Sequence, residues 1–350
     1  MTRTAAVVLL LLALACCALA EDSWEIKVYP APRAAGPITV DGLLNEPSWQ
    51  EAPLVSGFTW YNKPELLQVQ TSFRVLYDDH NLYFGVICDE PLMSRGVPVA
   101  ASRDSSLVFN GEAIEVFVDP LHDHTTYYQF AVNSAGTVYD GRGTDLYWNS
   151  GVQVKTTLGD ASWTVEMAIP WRDLGVVPQA GKVLGFNVDR DRNVANAREW
   201  SNWAQQNANF HDPERFAHLV LSPTPQQLAA LGTEFRKGGR RGPIVVYGKE
   251  GFAQTSYRAL AEEAVARLEK SAKAFAGLAA EETNPAVKDE LKKRADQYTA
   301  QVTELRRKVA LASSMDAAEW VKLDLQIAGL EAEMQGAVWD ARLAGLLRSL

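Results

Sequence analysis

Between residues 38 and 221 apolar and polar side chains alternate with a period of two. Ser72-Phe-Arg-Val-Leu-Tyr77, Ala113-Ile-Glu-Val-Phe-Val-Asp119, Tyr127-Tyr-Gln-Phe-Ala-Val-Asn133 and Trp163-Thr-Val-Glu-Met-Ala-Ile169 all follow this rule. Turn clusters separate them, at Asp78-Asp-His-Asn81, Asn133-Ser-Ala-Gly136, Leu158-Gly-Asp160 and Pro178-Gln-Ala-Gly181. Short alternating strands with turns every ~8–12 residues predict an antiparallel β-sandwich. No long helical period interrupts them, which argues against a parallel sheet with crossover helices.

The pattern changes in the last hundred residues. Val287, Leu291, Ala295, Tyr298, Val302, Leu305 and Val309 recur at three and four, as do Trp320, Leu323, Ile327, Leu330, Met334, Val338 and Ala341. A weaker stripe runs through Leu260, Ala264, Leu268, Ala272 and Phe275. Each is the seam of an amphipathic helix. Breaks fall at Thr283-Asn284-Pro285 and at Ser313-Ser314 before Asp316, so a three-helix bundle or helical hairpin is predicted. Arg236-Lys-Gly-Gly-Arg-Arg-Gly242 reads as a solvated linker, and the apolar run after it as one short extra strand. The predicted organisation is a leader over 1–20, a β-sandwich over 21–223, a linker over 224–252 and a helical region over 253–350.

Composition narrows the partners. Hydrophobic residues make up 47% of the 350 and charged residues 22%, an ordinary globular balance. A net charge of −9 argues against nucleic acid, which needs a basic surface. Arg3, the apolar run Ala5 to Ala15 and Ala18-Leu19-Ala20 have the form of a cleaved secretory signal, which predicts a secreted or periplasmic protein. Cys16 and Cys17 offer the rival of a lipid-anchored cysteine. No other segment is long and apolar enough to span a membrane. Beyond the leader only Cys88 remains; it cannot form an intramolecular disulfide and is expected to be a small buried hydrophobe.

No nucleophile elbow, P-loop, H-E-x-x-H or CxxC pair is present. His122 and His124 sit in a strand-connecting loop and are read as solvated rather than metal-bound. Glu115, Asp119 and Glu166 are the carboxylates that could form a glycosidase pair, although acids on the wet face of a sheet are common. A binding face is better supported. The polar set of one strand is Tyr127, Gln129, Ala131 and Asn133, and Glu115 is polar on its own strand. Such a surface offers the donors and acceptors that sugar hydroxyls need. Loop aromatics (Trp60, Tyr61, Phe109, Trp148, Trp200, Trp203, Phe210) could add stacking platforms. Trp49, Trp163 and Trp171 are expected in the core.

Seven stretches in consistent order resemble the family 9 carbohydrate-binding module. They include Ile38-Thr-Val-Asp-Gly-Leu-Leu-Asn-Glu-Pro-Ser-Trp49, Asn110-Gly-Glu-Ala-Ile-Glu-Val-Phe-Val-Asp119, Gln129-Phe-Ala-Val-Asn133 and Phe210-His-Asp-Pro-Glu-Arg-Phe216, and together they cover about residues 25–222. The resemblance implies a non-catalytic β-sandwich that holds an oligo- or polysaccharide between two aromatic rings, with structural calcium. By position the rings fall on Phe109 and Phe210, with Glu115, Asn133 and Asn207 as polar ligands beside Gln129. Asp41 and Glu46 are candidate cation ligands. Ala131 stands where sugar binders of this family resemble "Q-F-R-V-N", and losing that guanidinium leaves the identity of the sugar open. Two alternatives are an interaction protein working through its helical tail and a haem-binding module using Met93 or Met167.

Overall fold

The alternating segments form two sheets packed face to face. The structure, a computed structural model, describes residues 24–349 apart from Val97, Leu146 and Ala208, so the leader with Cys16 and Cys17 lies outside the described residues. The larger sheet runs in the order β13 (Ile244–Val246), β1 (Ile26–Ala31), β12 (Ala217–Leu221), β10 (Val183–Val194), β5 (Ala113–Asp119), β6 (Tyr128–Asn133) and β7 (Val138–Arg142). The long β10 also pairs with β11 (Ala197–Asn202), which carries the short β2 (Thr59–Trp60). The smaller sheet is β3 (Thr71–Tyr77), β4 (Asn81–Asp89), β9 (Ser162–Pro170) and β8 (Gln153–Leu158). Every pair is antiparallel except β1 with β12 and β13, both parallel.

Period two sorts the side chains as the alternation requires. Ile114, Val116 and Val118 of β5, Phe130 and Val132 of β6, and Trp163, Val165 and Met167 of β9 meet in one core with Phe73, Phe84, Phe186 and Trp203. Trp49, Trp163 and Trp171 are buried as expected. Trp49 lies in the short helix α1 (Pro47–Glu51) and closes the outer face of the smaller sheet. There Gly85 is required, since a Cβ would lie 2.5 Å from Leu44 Cδ2 and 3.1 Å from Trp49 Cζ3. Two further short helices are α2 (Trp171–Leu174) and α3 (Pro225–Ala230).

Cys88 is fully buried among these apolar side chains, and burial pushes its thiol up to about 12. It is therefore expected to resist a thiol-specific reagent in the native protein and to react stoichiometrically in denaturant. Labelling at the same rate in both states would contradict this.

A two-stranded ribbon, β14 (Gly251–Phe252) with β15 (Thr255–Ser256), leads into the helical region: α4 (Tyr257–Glu281), α5 (Pro285–Leu311) and α6 (Ala317–Ser349). N-caps start each helix, those of the last two at the predicted breaks. Ser256 accepts from Ala259 N–H, Asn284 from Ala286 and Val287 N–H before Pro285, and Asp316 and Glu319 bond reciprocally. The predicted stripes meet in one apolar cluster, with Leu268, Phe275, Tyr298, Leu305 and Ile327 inside. Among the described residues no helix is long and apolar enough to cross a membrane.

Candidate functional site

Across β11, β10, β5, β6 and β7 the outer face of the larger sheet is largely polar, and strand register lines its side chains into rows. Asn202, Asp189, Glu115, Ala131 and Tyr139 lie side by side across β11, β10, β5, β6 and β7. The neighbouring row is Trp200, Asp191, Ala113 and Asn133. Glu115, Asp189 and Asp191 are thus adjacent, and all three are buried.

A pocket of ≈ 320 Å³ opens over this floor, lined by Tyr61, Glu115, Asp191, Trp200, Asn209, Phe210 and His211. Tyr61 packs edge-on to both Trp200 and Phe210, with centroids 6.3 and 6.4 Å apart. Phe210 also clusters with Phe117 and Phe216. The wall is aromatic and the floor carboxylate.

Burial raises Glu115 well above the usual carboxylate range; repulsion from Asp191, to which it is hydrogen-bonded, adds to this, while Gln129 Nε2, donating to Glu115, opposes it. Burial likewise raises Asp189 well above its ordinary value, with repulsion from Glu115 and Asp191. Asp191 is pushed up to about 6, chiefly by burial. Burial lowers His211, which keeps its ring neutral at neutral pH.

The residues singled out from sequence fall in three places. Glu115, Gln129 and Phe210 come together at the pocket. Phe109 packs on Tyr139, centroids 5.3 Å apart, on the β7 side of the same face and outside the pocket lining. Two strand spacings, ~10 Å, separate β7 from β5, which carries Phe117 beneath Phe210. Asn133 is spent on the β6–β7 hairpin: its Oδ1 accepts from Ala135 and Thr137 N–H and its Nδ2 donates to Val99 O. Asn207 is exposed and lines a different cleft, of ≈ 640 Å³, between the sandwich and α6, with Trp24, Trp320 and Asp324.

Asp189, Asp191, Tyr139, Asn209 and His211 were not anticipated. The signal for the two aspartates lies in Asn187-Val-Asp-Arg-Asp-Arg-Asn193, where alternation continues but both sets become polar. The acids face outward and the arginines inward.

Asp41 and Glu46 each commit one oxygen, to Leu43 and Thr39 N–H, and Glu46 Oε2 is buried without a partner. Calcium takes six to eight oxygens, and these two side chains do not supply such a set. Among the described residues there is no group of three or more His, Cys, Asp or Glu able to hold a metal ion. The carboxylates that sequence offered for catalysis are held apart. Glu166 faces out from the smaller sheet, accepting from Asp41 and Gly42 N–H and Trp49 Nε1, with the whole core between it and Glu115. Asp119 ties down its own loop through Leu121, Asp123 and His124 N–H. Met93 and Met167 are both buried in the sandwich core.

Two sequence expectations need correction. His122 is buried rather than solvated, bonded to His218 at 2.8 Å and to Glu234 at 2.9 Å. Arg240, within the stretch read as a solvated linker, is also buried. It donates to His218 at 2.9 Å, to His124 at 3.1 Å and to Glu214 O at 2.8 Å. The outer face of the sheet supplies partners for this segment, so it folds back instead of remaining in water.

A sandwich with a polar outer face and an aromatic-walled pocket on it defines a ligand-binding β-sandwich module. The chain belongs to the carbohydrate family 9 binding domain-like family, whose profile matches residues 40–224. It is 31% identical over 160 residues to endo-1,4-beta-xylanase A of Thermotoga neapolitana, covering 42% of this chain and 14% of that enzyme. It is 25% identical over 209 residues to endo-1,4-beta-xylanase A of Thermoanaerobacterium saccharolyticum, covering 57% and 17%. The chain therefore spans less than a fifth of the length of either relative. A family 9 module from Caldicellulosiruptor kristjanssonii in complex with cellotriose is 20% identical with a TM-score of 0.45, covering 57% of this chain and 95% of the other.

Proposed function

We propose that this is a secreted, non-catalytic carbohydrate-binding protein that holds a sugar against aromatic side chains over the polar face of its larger sheet. The observation that carries this reading is the pocket where Glu115 and Asp191 form the floor and Tyr61, Trp200 and Phe210 the wall. Carboxylates bind hydroxyls directionally and flat rings cover the C–H faces of pyranoses. The match to only 14% and 17% of two xylanases supports a binding module in place of a whole enzyme. So does the distance at which the core keeps Glu166 from Glu115.

Isothermal titration of the protein with cello- and xylo-oligosaccharides and their end-reduced forms tests it, with calcium present and absent. Binding is expected, and Phe210→Ala should weaken it roughly tenfold, the order of one lost stacking contact. Phe109→Ala reports whether the Tyr139 side of the face shares the load. An absence of heat with every sugar, or unchanged affinity in Phe210→Ala, would remove this site.

A second reading, interaction through the helical tail, is favoured by one observation: Trp339, Leu343 and Leu347 are exposed near the end of α6. Sedimentation of the full chain and of Trp339→Ala tests it, an unchanged monomer in both counting against self-association.

A further inference from the structure

We propose that the pocket over β5 and β10 selects saccharides bearing a protonated amine, with Glu115 and Asp191 receiving the ammonium group. This rests on the carbohydrate reading above and names the sugar class. Glu115, Asp189 and Asp191 are 4%, 0% and 5% exposed, and among the described residues no cation neutralises them. The arginines of β10 face the other way: Arg190 is committed to Glu112 and Glu90, and Arg192 to Glu90 and Glu199. Arg198, on the outer face of β11, is exposed and sits across from Asn193 at the far end of the hairpin. The other ionisable groups beside the pocket are His211, lowered by burial, and Tyr61, Tyr127 and Tyr139; Asp119, His122, His124, His218 and Arg240 lie on the same face towards β12 and are bonded to one another or to their own loops.

The unmet chemistry is that of an acceptor. Asp189 Oδ2 and Asp191 Oδ2 are buried and receive no hydrogen bond from a donor among the described residues; Asp191 otherwise has the proton it shares with Glu115 and a bond with Trp200, and it lines the pocket. The amide nitrogen of Gln129 is already given to Glu115. A buried carboxylate oxygen left unpaired is costly, and a charged donor satisfies it best. An ammonium brings three donors and no acceptor, whereas each sugar hydroxyl brings both. The faces of Trp200, Phe210 and Tyr61 further favour a cation beside them. Because Glu115 and Asp191 share a proton when empty, an ammonium that takes its place must bind more weakly as the solution is acidified.

Three β-1,4 trisaccharides that differ only at C2 test this: cellotriose (hydroxyl), tri-N-acetylchitotriose (acetamide) and its fully deacetylated form (ammonium). At about pH 7 the deacetylated sugar is expected to bind at least ~10-fold tighter than cellotriose, about one hydrogen-bonded ion pair's worth. Glu115→Gln and Asp191→Asn should abolish that preference, weakening the deacetylated sugar at least ~10-fold more than they weaken cellotriose. Acidifying the unmodified protein to about pH 5 should also erode the preference, without relying on a variant that folds. Equal affinity for all three sugars overturns the amine inference and leaves the carbohydrate reading standing. A preference that survives both substitutions and acid also overturns it, since the net charge of −9 attracts any cation. No binding of any of them defeats both.

Discussion

Arg190→Met is expected to destabilise the sandwich by about 3–5 kcal/mol, the usual cost of stranding a buried charge. Arg190 is 1% exposed, on the inward face of β10 where that strand runs past the apolar core. One terminal nitrogen lies 2.6 Å from Glu112 Oε2 and 3.6 Å from Glu90, and the other bonds Gln70 O and Thr71 Oγ1. Glu112 in turn accepts from Trp163 Nε1 at 3.0 Å and from Asn193 N–H at 3.1 Å. Removing the guanidinium leaves Glu90 its two bonds to Arg192, but strips Glu112 of its only cation within ion-pair distance among the described residues. Urea unfolding followed by tryptophan fluorescence measures the loss. The double variant Arg190→Met with Glu112→Gln should recover part of it, because the stranded charge goes with its partner. A single-variant loss below about 1 kcal/mol would mean that water reaches Glu112 freely.

This cluster also marks where the sequence stopped being legible. Local alternation was enough for β3, β5, β6 and β9 and for which of their faces is apolar, because a period of two is a property of neighbours along the chain. The helices were legible for the same reason, with Asn284 and Asp316 as caps. Pairings between distant segments were not. β1 precedes the alternating region and joins the sheet only through parallel neighbours, β12 and β13, which lie far along the chain. Asp191 joined Glu115 through the register of β10 with β5, which nothing near either residue encodes. Glu115, Gln129 and Phe210 reached one place, whereas Asn133 went to a hairpin and Asn207 to another cleft. A short polar side chain beside a turn competes for the backbone of that turn, and a motif match does not show which demand wins.

Acidification from about pH 7 to about pH 4 is expected to cost the fold on the order of 2 kcal/mol through the histidines around Arg240. The hydrogen-bond chemistry fixes their tautomers. Arg240 can only donate, so His218 Nε2 accepts from it at 2.9 Å instead of donating to Phe235 O at 3.2 Å; His218 Nδ1–H then donates to His122 Nε2, and His122 Nδ1–H to Glu234. Arg240 also donates to His124 Nδ1. His218 and His122 are therefore held neutral in a chain that runs from Arg240 to Glu234, His124 Nε2 is buried without a partner, and a proton on His218 Nε2 or His124 Nδ1 would displace Arg240. Burial comes first among the causes in each case, and Arg240 adds repulsion: His218 lies well below its ordinary value, His124 is lowered to about 4, and His122 is lowered although Glu234 pulls it up. The remaining charges at the cluster are Lys237, paired with Glu234, and the acids Asp119, Asp123, Asp212 and Glu214. With folded values below the unfolded 6.5, the unfolded chain binds protons that the native one refuses. The stabilisation is thus complete above about pH 6.5 and drains away towards about pH 4. Glu115 and Asp189, raised instead, act in the opposite sense, so the readout is a difference: melting temperature against pH for the parent and for His218→Gln with His124→Gln. The variant should lose less on acidification than the parent. Parallel curves would mean that protons reach these rings without breaking the network.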